Sequence, residues 1–177
     1  MAERLARRMF ADRFGAAAAQ LDVASAGTHA RAGRPMRPGA ARVLRYFAAD
    51  SFGFVSRPLE PEAIEAADLV LTATRDQRAA CATRVPLAVG RTFTIRQFAR
   101  MAAVVSDSTP ELHTGPLARR LHVLLTLASQ SRNRMPVVPV ADDDLADPLG
   151  RPEKAFRACA TDIHQSVAAV IRAITRD

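Results

Sequence analysis

One short acidic segment holds the carboxylates that are best suited by sequence to do chemistry. Asp142, Asp143 and Asp144 are adjacent, and Asp147 follows them in an Asp-Pro dipeptide. Three neighbouring carboxylates are typical of a solvated turn. Asp147 differs, because a following proline biases the preceding residue toward an extended conformation and marks the end of a loop. A loop carboxylate of this kind can be held over a cleft, so Asp147 is a candidate catalytic residue.

The two cysteines are the other obvious candidates, because a thiolate is a strong nucleophile. Cys81 and Cys159 fall in predicted helices among alanines, and neither lies in a glycine-rich turn between a strand and a helix. A cysteine in such a position is usually a small buried hydrophobe, so we predict two inert thiols. The four histidines include no pair at ligand spacing on one helix face. We therefore predict no metal site and no cofactor.

Composition favours a single globular domain over residues 1–177, with 49% apolar residues and no run long enough to span a membrane. There is no apolar secretory segment at the N-terminus and no disulfide framework, so we expect a cytoplasmic protein. The net charge is +7, and Lys154 is the only lysine among 25 basic residues. Because the arginines are scattered and the chain has one Tyr and no Trp, we interpret the excess as a solvated surface rather than a nucleic-acid site.

Alternating strands and helices must position these residues. Apolar spacing predicts a helix over 1–14, which Gly15 ends and which no capping residue precedes. The remaining predicted elements are strand-like stretches at 21–28 and 69–71 and a strand running into a turn at 91–100. The predicted helices are at 39–49, 77–83, 111–129 and 152–175, with a short one that begins near Glu60–Pro61. This alternation predicts a parallel sheet with helices on both faces.

Together, these segments resemble the low molecular weight protein tyrosine phosphatase family along nearly the whole chain. The motifs that carry the resemblance are, in order, MAERL at 1–5, SAGT at 25–28, Gly33-Arg34-Pro35, SRPL at 56–59, ADLVLTAT at 67–74, RTFTIRQFAR at 91–100 and DLADPLG at 144–150. The ordered set is more specific than any one of them. The resemblance implies an α/β fold, a three-layer sandwich with a short parallel sheet of the phosphotyrosine phosphatase I type.

In this family a C-x5-R-S-P segment stands directly before M-A-E and forms a loop around the phosphate. Its cysteine attacks phosphorus, its arginine binds the phosphoryl oxygens, and the aspartate of a D-P motif protonates the leaving phenolate. The resemblance assigns that last role to Asp147. We expect the phosphate loop and the first, central strand to be absent from this chain, because the match begins at Met1 and neither cysteine has an arginine six positions after it. Loss of that strand predicts a gap or an exposed apolar edge in the sheet.

Three other positions bear on the site by resemblance. Ser25 is expected to contribute to the hydrogen bonds that support the phosphate loop. Leu149 stands where the family often has an aromatic residue that flanks the phenyl ring, and we expect it to line the substrate pocket. Phe54 stands where the family usually has a histidine that braces the loop.

Three functional hypotheses remain open. The first is a phosphatase whose true start lies upstream, acting on a phosphotyrosine protein or a small aryl phosphate. The second is a phosphatase-like binding or regulatory domain without activity, which Phe54 and Leu149 favour. The third, ranked last, is an arginine-rich nucleic-acid-binding module. The arsenate reductases that share the fold need the same cysteine loop, so we expect the 177-residue chain to be inactive by itself.

Overall fold

A computed structural model describes residues 1–105, 109–134, 136 and 138–175 of the chain. Helices dominate, and two short strands form the sheet. The helices are α1 (Ala2–Phe14), α2 (Pro38–Tyr46), α3 (Pro61–Glu65), α4 (Arg75–Arg84), α5 (Ile95–Val105), α6 (Leu117–Ser131), α7 (Val140–Asp143) and α8 (Glu153–Ala173), and the strands are β1 (Val70–Thr72) and β2 (Thr92–Thr94). Short 3-10 turns follow α1, α4 and α6 and precede α6.

The two strands pair in parallel, with α4 as the connection between them. Leu71 is opposite Phe93 in the register. Phe93 is fully buried, whereas Leu71 is 40% exposed. The apolar run 69–71 is typical of a strand covered on both faces, and this does not hold for Leu71. In the described part of the chain β1 has a neighbouring strand on one side only. An apolar side chain is thus exposed at the sheet edge.

Helix α8 is the centre of the core. It makes the most extensive helix contact with α5 and also packs against α1 and α2. The apolar residues of the predicted helix 152–175 recur at helical spacing, and the structure buries them at Ala160, Ile163, Val167, Val170 and Ile171, and at Ile174 just after the end of α8. At Gly39 of α2 an added Cβ would lie 3.2 Å from the ring of Phe156, so the absence of a side chain permits this close approach. No helix within the described ranges has the length and apolarity needed to cross a membrane.

The segments 21–28 and 91–100 differ in form from their predictions. The helix predicted over 111–129 begins only at Leu117, after a short 3-10 turn. The stretch 21–28 was expected to be strand-like, but among the described residues Leu21–Ala26 pairs with no strand, and Gly27 forms an isolated bridge with Pro58. An extended segment becomes a strand only when a neighbour takes its backbone hydrogen bonds. The stretch 91–100 was expected to turn after its strand, but β2 leads directly into α5.

Candidate active site

Asp147 lies in the loop between α7 and α8, and its side chain is exposed. Its Oδ1 accepts a hydrogen bond of 2.9 Å from the backbone N–H of Leu149, across Pro148. This side-chain-to-backbone bond closes a tight turn, which fixes the carboxylate relative to its own backbone. The result is an oriented acid that is open to solvent.

Two hydrogen bonds attach this loop to the carboxyl end of β1. The N–H of Leu145 donates to the carbonyl of Ala73 at 2.9 Å, one residue after the strand ends. Asp144 Oδ1 accepts from the N–H of Arg75 at 2.8 Å. Ligands of open parallel sheets bind beyond the carboxyl ends of the strands, so the loop lies where a substrate would be expected.

Asp143 forms the ion pairs that hold this segment in place. Its side chain is 5% exposed and lies between Arg75, whose NH2 is 2.8 Å from Oδ2, and Arg100, which contacts Oδ1. Burial is the largest single influence on the pKa of Asp143 and raises it. Hydrogen bonds from Arg100 and Arg75, together with their charges, outweigh burial and lower the pKa of this carboxyl below its ordinary value. Asp143 is therefore charged at neutral pH and holds α7 against α4 and α5.

Arg96, in the first turn of α5, ties the loop to α8. Its NH1 donates to the carbonyl of Ala141 at 2.8 Å, and its NH2 donates to Asp162 Oδ2 on α8 at 2.7 Å. One guanidinium thus links three elements around the Asp147 loop. Its fixed fork of donors suits this bridging role better than a lysine would.

Ser25 lies beside the first turn of α1, where its hydroxyl donates to Glu3 Oε2 at 2.6 Å. Glu3 is 6% exposed and also contacts Arg4 and Arg7 at 3.4 and 3.7 Å. The Ser25 hydroxyl therefore supports α1 through a buried carboxylate. In the described part of the chain this hydroxyl bonds to Glu3 and not to the Asp147 turn.

Cys159 lies on α8, and charges from more than one element influence its thiol. Burial raises the pKa of Cys159 most strongly, the carboxylates of Asp162 and Asp147 raise it further, and the Met1 amino group opposes them. The same balance keeps Cys159 protonated and therefore a poor nucleophile.

The prediction of two buried thiols is confirmed. Cys81 is 2% exposed and Cys159 is 7% exposed. Burial also raises the pKa of Cys81, against the opposing charge of Arg84. Both thiols are thus buried and have a raised pKa.

Leu149 and Phe54 occupy different surroundings. Leu149 is 51% exposed and shares the turn of Asp147, which accepts from its backbone N–H. Phe54 lies under the guanidinium of Arg4, whose central carbon is 5.8 Å from the ring centroid. The position that the resemblance assigns to a histidine is therefore packed against the first turn of α1. In the part of the chain that the structure describes, no three His, Cys, Asp or Glu side chains are grouped to hold a metal ion.

The ion pairs of Asp143 with Arg75 and Arg100, together called the Asp143 clamp, hold the Asp147 loop and were not predicted from the sequence. The run 142–144 was interpreted as a solvated turn, and this is wrong for Asp143, because two arginines compensate its burial. A signal was available, since Arg96 and Arg100 are four residues apart and therefore project from the same face of α5. Arg75 also lies four positions after the end of the predicted strand 69–71.

Comparison with known proteins bears on both the fold and the site. The family model described as "Low molecular weight phosphotyrosine protein phosphatase" matches residues 1–110. That match ends before the Asp147 loop, whereas the structural similarities extend over nearly the whole chain. The sequence matches no curated protein at a significant level.

Three solved structures illustrate the similarity of fold. Vibrio vulnificus Wzb in complex with benzylphosphonate is 18% identical with a TM-score of 0.63, over 95% of this chain and 84% of that one. The Erwinia amylovora tyrosine phosphatase AmsI is 16% identical with a TM-score of 0.65, over 99% and 83%. The YwlE arginine phosphatase of Geobacillus stearothermophilus is 22% identical with a TM-score of 0.62, over 96% and 79%. At these identities the likeness establishes the fold.

Proposed function

The chain belongs to the low molecular weight phosphotyrosine protein phosphatase family, and from this premise we propose that its residues 1–177 form one domain that supplies the general acid, Asp147, for phosphomonoester hydrolysis. The observation that carries the proposal is the docked Asp147 turn at the carboxyl end of β1. The family implies a phosphotyrosine protein or an aryl phosphate as the substrate. The family's phosphate loop would end at the start of α1, which packs against α8, the helix that follows the Asp147 loop.

Asp147 suits the acid role through its hydrogen bonding. The N–H of Leu149 engages Oδ1, so the proton to be transferred would reside on Oδ2. In the family reaction a cysteine thiolate forms a bond to phosphorus while the bond to the leaving oxygen breaks, and the acid protonates that oxygen. The exposed side chain of Leu149, next to this acid, would contact the apolar part of the substrate.

We further propose that the 177-residue chain by itself turns over almost no substrate. Both of its thiols are buried and have a raised pKa, and neither has an arginine six positions after it. A general acid without a nucleophile and a phosphate clamp gives little catalysis, because the groups of such a constellation depend on one another. A phosphatase of this lineage would therefore need a C-x5-R-S-P segment in front of Met1.

The test begins with the coding sequence upstream of Met1, translated in frame. If it encodes C-x5-R-S-P, the extended chain should hydrolyse p-nitrophenyl phosphate, whereas the 177-residue chain should not. In the extended chain Asp147→Asn should lower kcat/KM by about 10²- to 10⁴-fold. The loss should be larger for phenyl phosphate than for p-nitrophenyl phosphate, because the more basic leaving group depends more on protonation. Asp142→Asn, an exposed carboxylate change in the same segment, is the matched control.

Two results would overturn these proposals separately. Turnover by the 177-residue chain, sensitive to Asp147→Asn, would refute its inactivity. An equal loss for both leaving groups in the extended chain would refute the acid role of Asp147, since a structural defect has no reason to discriminate between leaving groups.

A phosphatase-like binding or regulatory domain is the second candidate function. Phe54, packed against Arg4 where the family usually has a bracing histidine, favours it, because a phenyl ring donates no hydrogen bond. This candidate predicts an in-frame stop codon between any C-x5-R-S-P and Met1. It also predicts a chain that is folded by circular dichroism and has no hydrolytic activity.

A further inference from the structure

A second cleft lies along the outer edge of β2, away from the Asp147 turn. It has a volume of about 360 Å³. Its walls come from α4, from the residues leading into β2, from the first turn of α5 and from the residue after α6, and they are formed by Arg78, Ala79, Ala82, Val89, Thr92, Gln97 and Arg132. None of these side chains takes part in the clamp around Asp143. A volume of this order suits a small molecule.

The guanidinium of Arg132 is held rigidly at this cleft. Its NH1 donates to the carbonyl of Val89 and its NH2 to the carbonyl of Thr92, both at 2.7 Å. Its central carbon lies 4.1 Å from the ring centroid of Phe93, so the group is stacked as well as hydrogen-bonded. Both acceptors are neutral carbonyls, which orient the group without neutralising its charge.

Arg78 brings a second positive charge to the same cleft. Its NH1 donates to Gln97 Oε1 at 2.8 Å, which is again a neutral acceptor. Within the described ranges neither Arg78 nor Arg132 forms an ion pair with a carboxylate. Arg75, Arg96 and Arg100, by contrast, each pair with an aspartate.

The two guanidinium groups affect one another. Burial is the largest influence on the pKa of Arg132 and lowers it, and the charge of Arg78 lowers it further. The Nε of Arg132 is buried and has no hydrogen-bond partner in the part of the chain that is described. An anion in the cleft would relieve the repulsion between these like charges and would offer acceptors to their remaining N–H groups.

We infer that the β2-edge cleft is a binding site for a small organic phosphate dianion, with the phosphate between Arg78 and Arg132. Two positive charges without a described counter-charge match a dianion better than a monoanion. The apolar part of the ligand would lie against Ala79, Ala82 and Val89, which line the rest of the cleft. This site is independent of the proposed phosphatase chemistry.

Calorimetric titration of the 177-residue chain with phenylphosphonate, which has no ester bond to hydrolyse, tests the inference. We expect saturable binding at a single site that weakens as salt is added, because screening reduces the attraction between charges. Arg78→Gln should weaken binding and raise the Kd about tenfold or more. Ala82→Glu should abolish binding, since its carboxylate would compete for the two guanidinium groups. Arg84→Gln removes the same charge from an exposed position of α4 and should leave the Kd within about twofold.

The ligand class and the location are tested by the remaining arms. Benzoate, a monoanion with the same ring, should bind more weakly than phenylphosphonate, and Asp147→Asn should not change the Kd. Circular dichroism of each variant keeps a folding defect separate from a binding defect. The inference fails if phenylphosphonate gives no saturable binding, or if folded Arg78→Gln and Ala82→Glu both bind as the original chain does. Equal binding of benzoate would refute the dianion assignment, and loss of binding in Asp147→Asn would refute the location.

Discussion

Replacing Asp143 with asparagine keeps the shape of the side chain but removes the charge that holds the Asp147 loop. The carboxylate is 5% exposed, and it is bound to Arg75 and Arg100, which are 27% and 34% exposed. Breaking a fully buried ion pair costs about 3–5 kcal/mol. Because a third of the Arg100 side chain reaches water, solvent compensates part of that loss, and we expect about 2 kcal/mol.

For a chain of this length, that free energy corresponds to a fall in Tm of about 4–8 °C. Urea unfolding followed by circular dichroism should show a lower midpoint with an unchanged slope. The matched control is Asp142→Asn, an exposed neighbour in the same helix, which should change stability by less than about 0.5 kcal/mol. An Asp143→Asn midpoint equal to that of the control would refute the view that the clamp stabilises the fold.

The pH dependence of this difference gives a second test. The pKa of Asp143 in the folded chain lies below the ordinary 3.8, so its carboxylate stabilises the fold fully above that value. The contribution is lost as pH falls through the lower, folded pKa, where protonation removes the charge. The stability difference between the original chain and Asp143→Asn should therefore be constant near neutral pH and shrink below about pH 3.8. A difference that grows with acidification would contradict this assignment.

Two further predictions concern the start of α1 and the thiols. Ser25→Ala removes a hydrogen-bond donor from the buried carboxylate of Glu3, so the free energy of unfolding measured in urea should fall by about 1.5 kcal/mol. Ser25→Thr keeps a hydroxyl and should recover most of that loss. Equal urea midpoints for the two variants would contradict the role of this bond. Cys81 and Cys159 should react slowly with a thiol reagent in the native chain at neutral pH and rapidly in urea, because burial raises the pKa of both. Fast labelling of either native thiol would show that it is accessible.

Helices with a continuous apolar face could be predicted from the sequence. The stretch 152–175 was predicted as a helix, and α8 runs over Glu153–Ala173 with the expected face buried. The periodicity is informative here because the helix packs against several others, so the side that must be apolar is long and unbroken.

Elements whose form depends on distant partners could not be predicted in this way. The strand predicted in 91–100 is present as β2, but the turn predicted after it is not. Thr94 Oγ1 accepts from the N–H of Gln97, and this cap lets α5 begin directly after β2. The extended stretch Leu21–Ala26 needed a neighbouring strand, and such a partner is a tertiary property. The burial of Asp143 depended on arginines more than forty positions away in α5 and α4.

The positions of these contacts separate the candidate site into two independently supported parts. The Asp147 turn is held by β1, by α5 through Arg96 and by the Asp143 clamp. The start of α1 is held instead by Glu3 with Ser25 and by packing against α8. Because α8 contacts both α1 and α5, it fixes the distance between the two parts. A phosphate loop joined to α1 would therefore face the proposed acid, Asp147, in a position that is already fixed. Weakening the Asp143 clamp in such an extended chain should then slow the hydrolysis of phenyl phosphate more than that of p-nitrophenyl phosphate. Equal slowing of both substrates by Asp143→Asn, measured well below its Tm, would mean that the clamp does not position the acid.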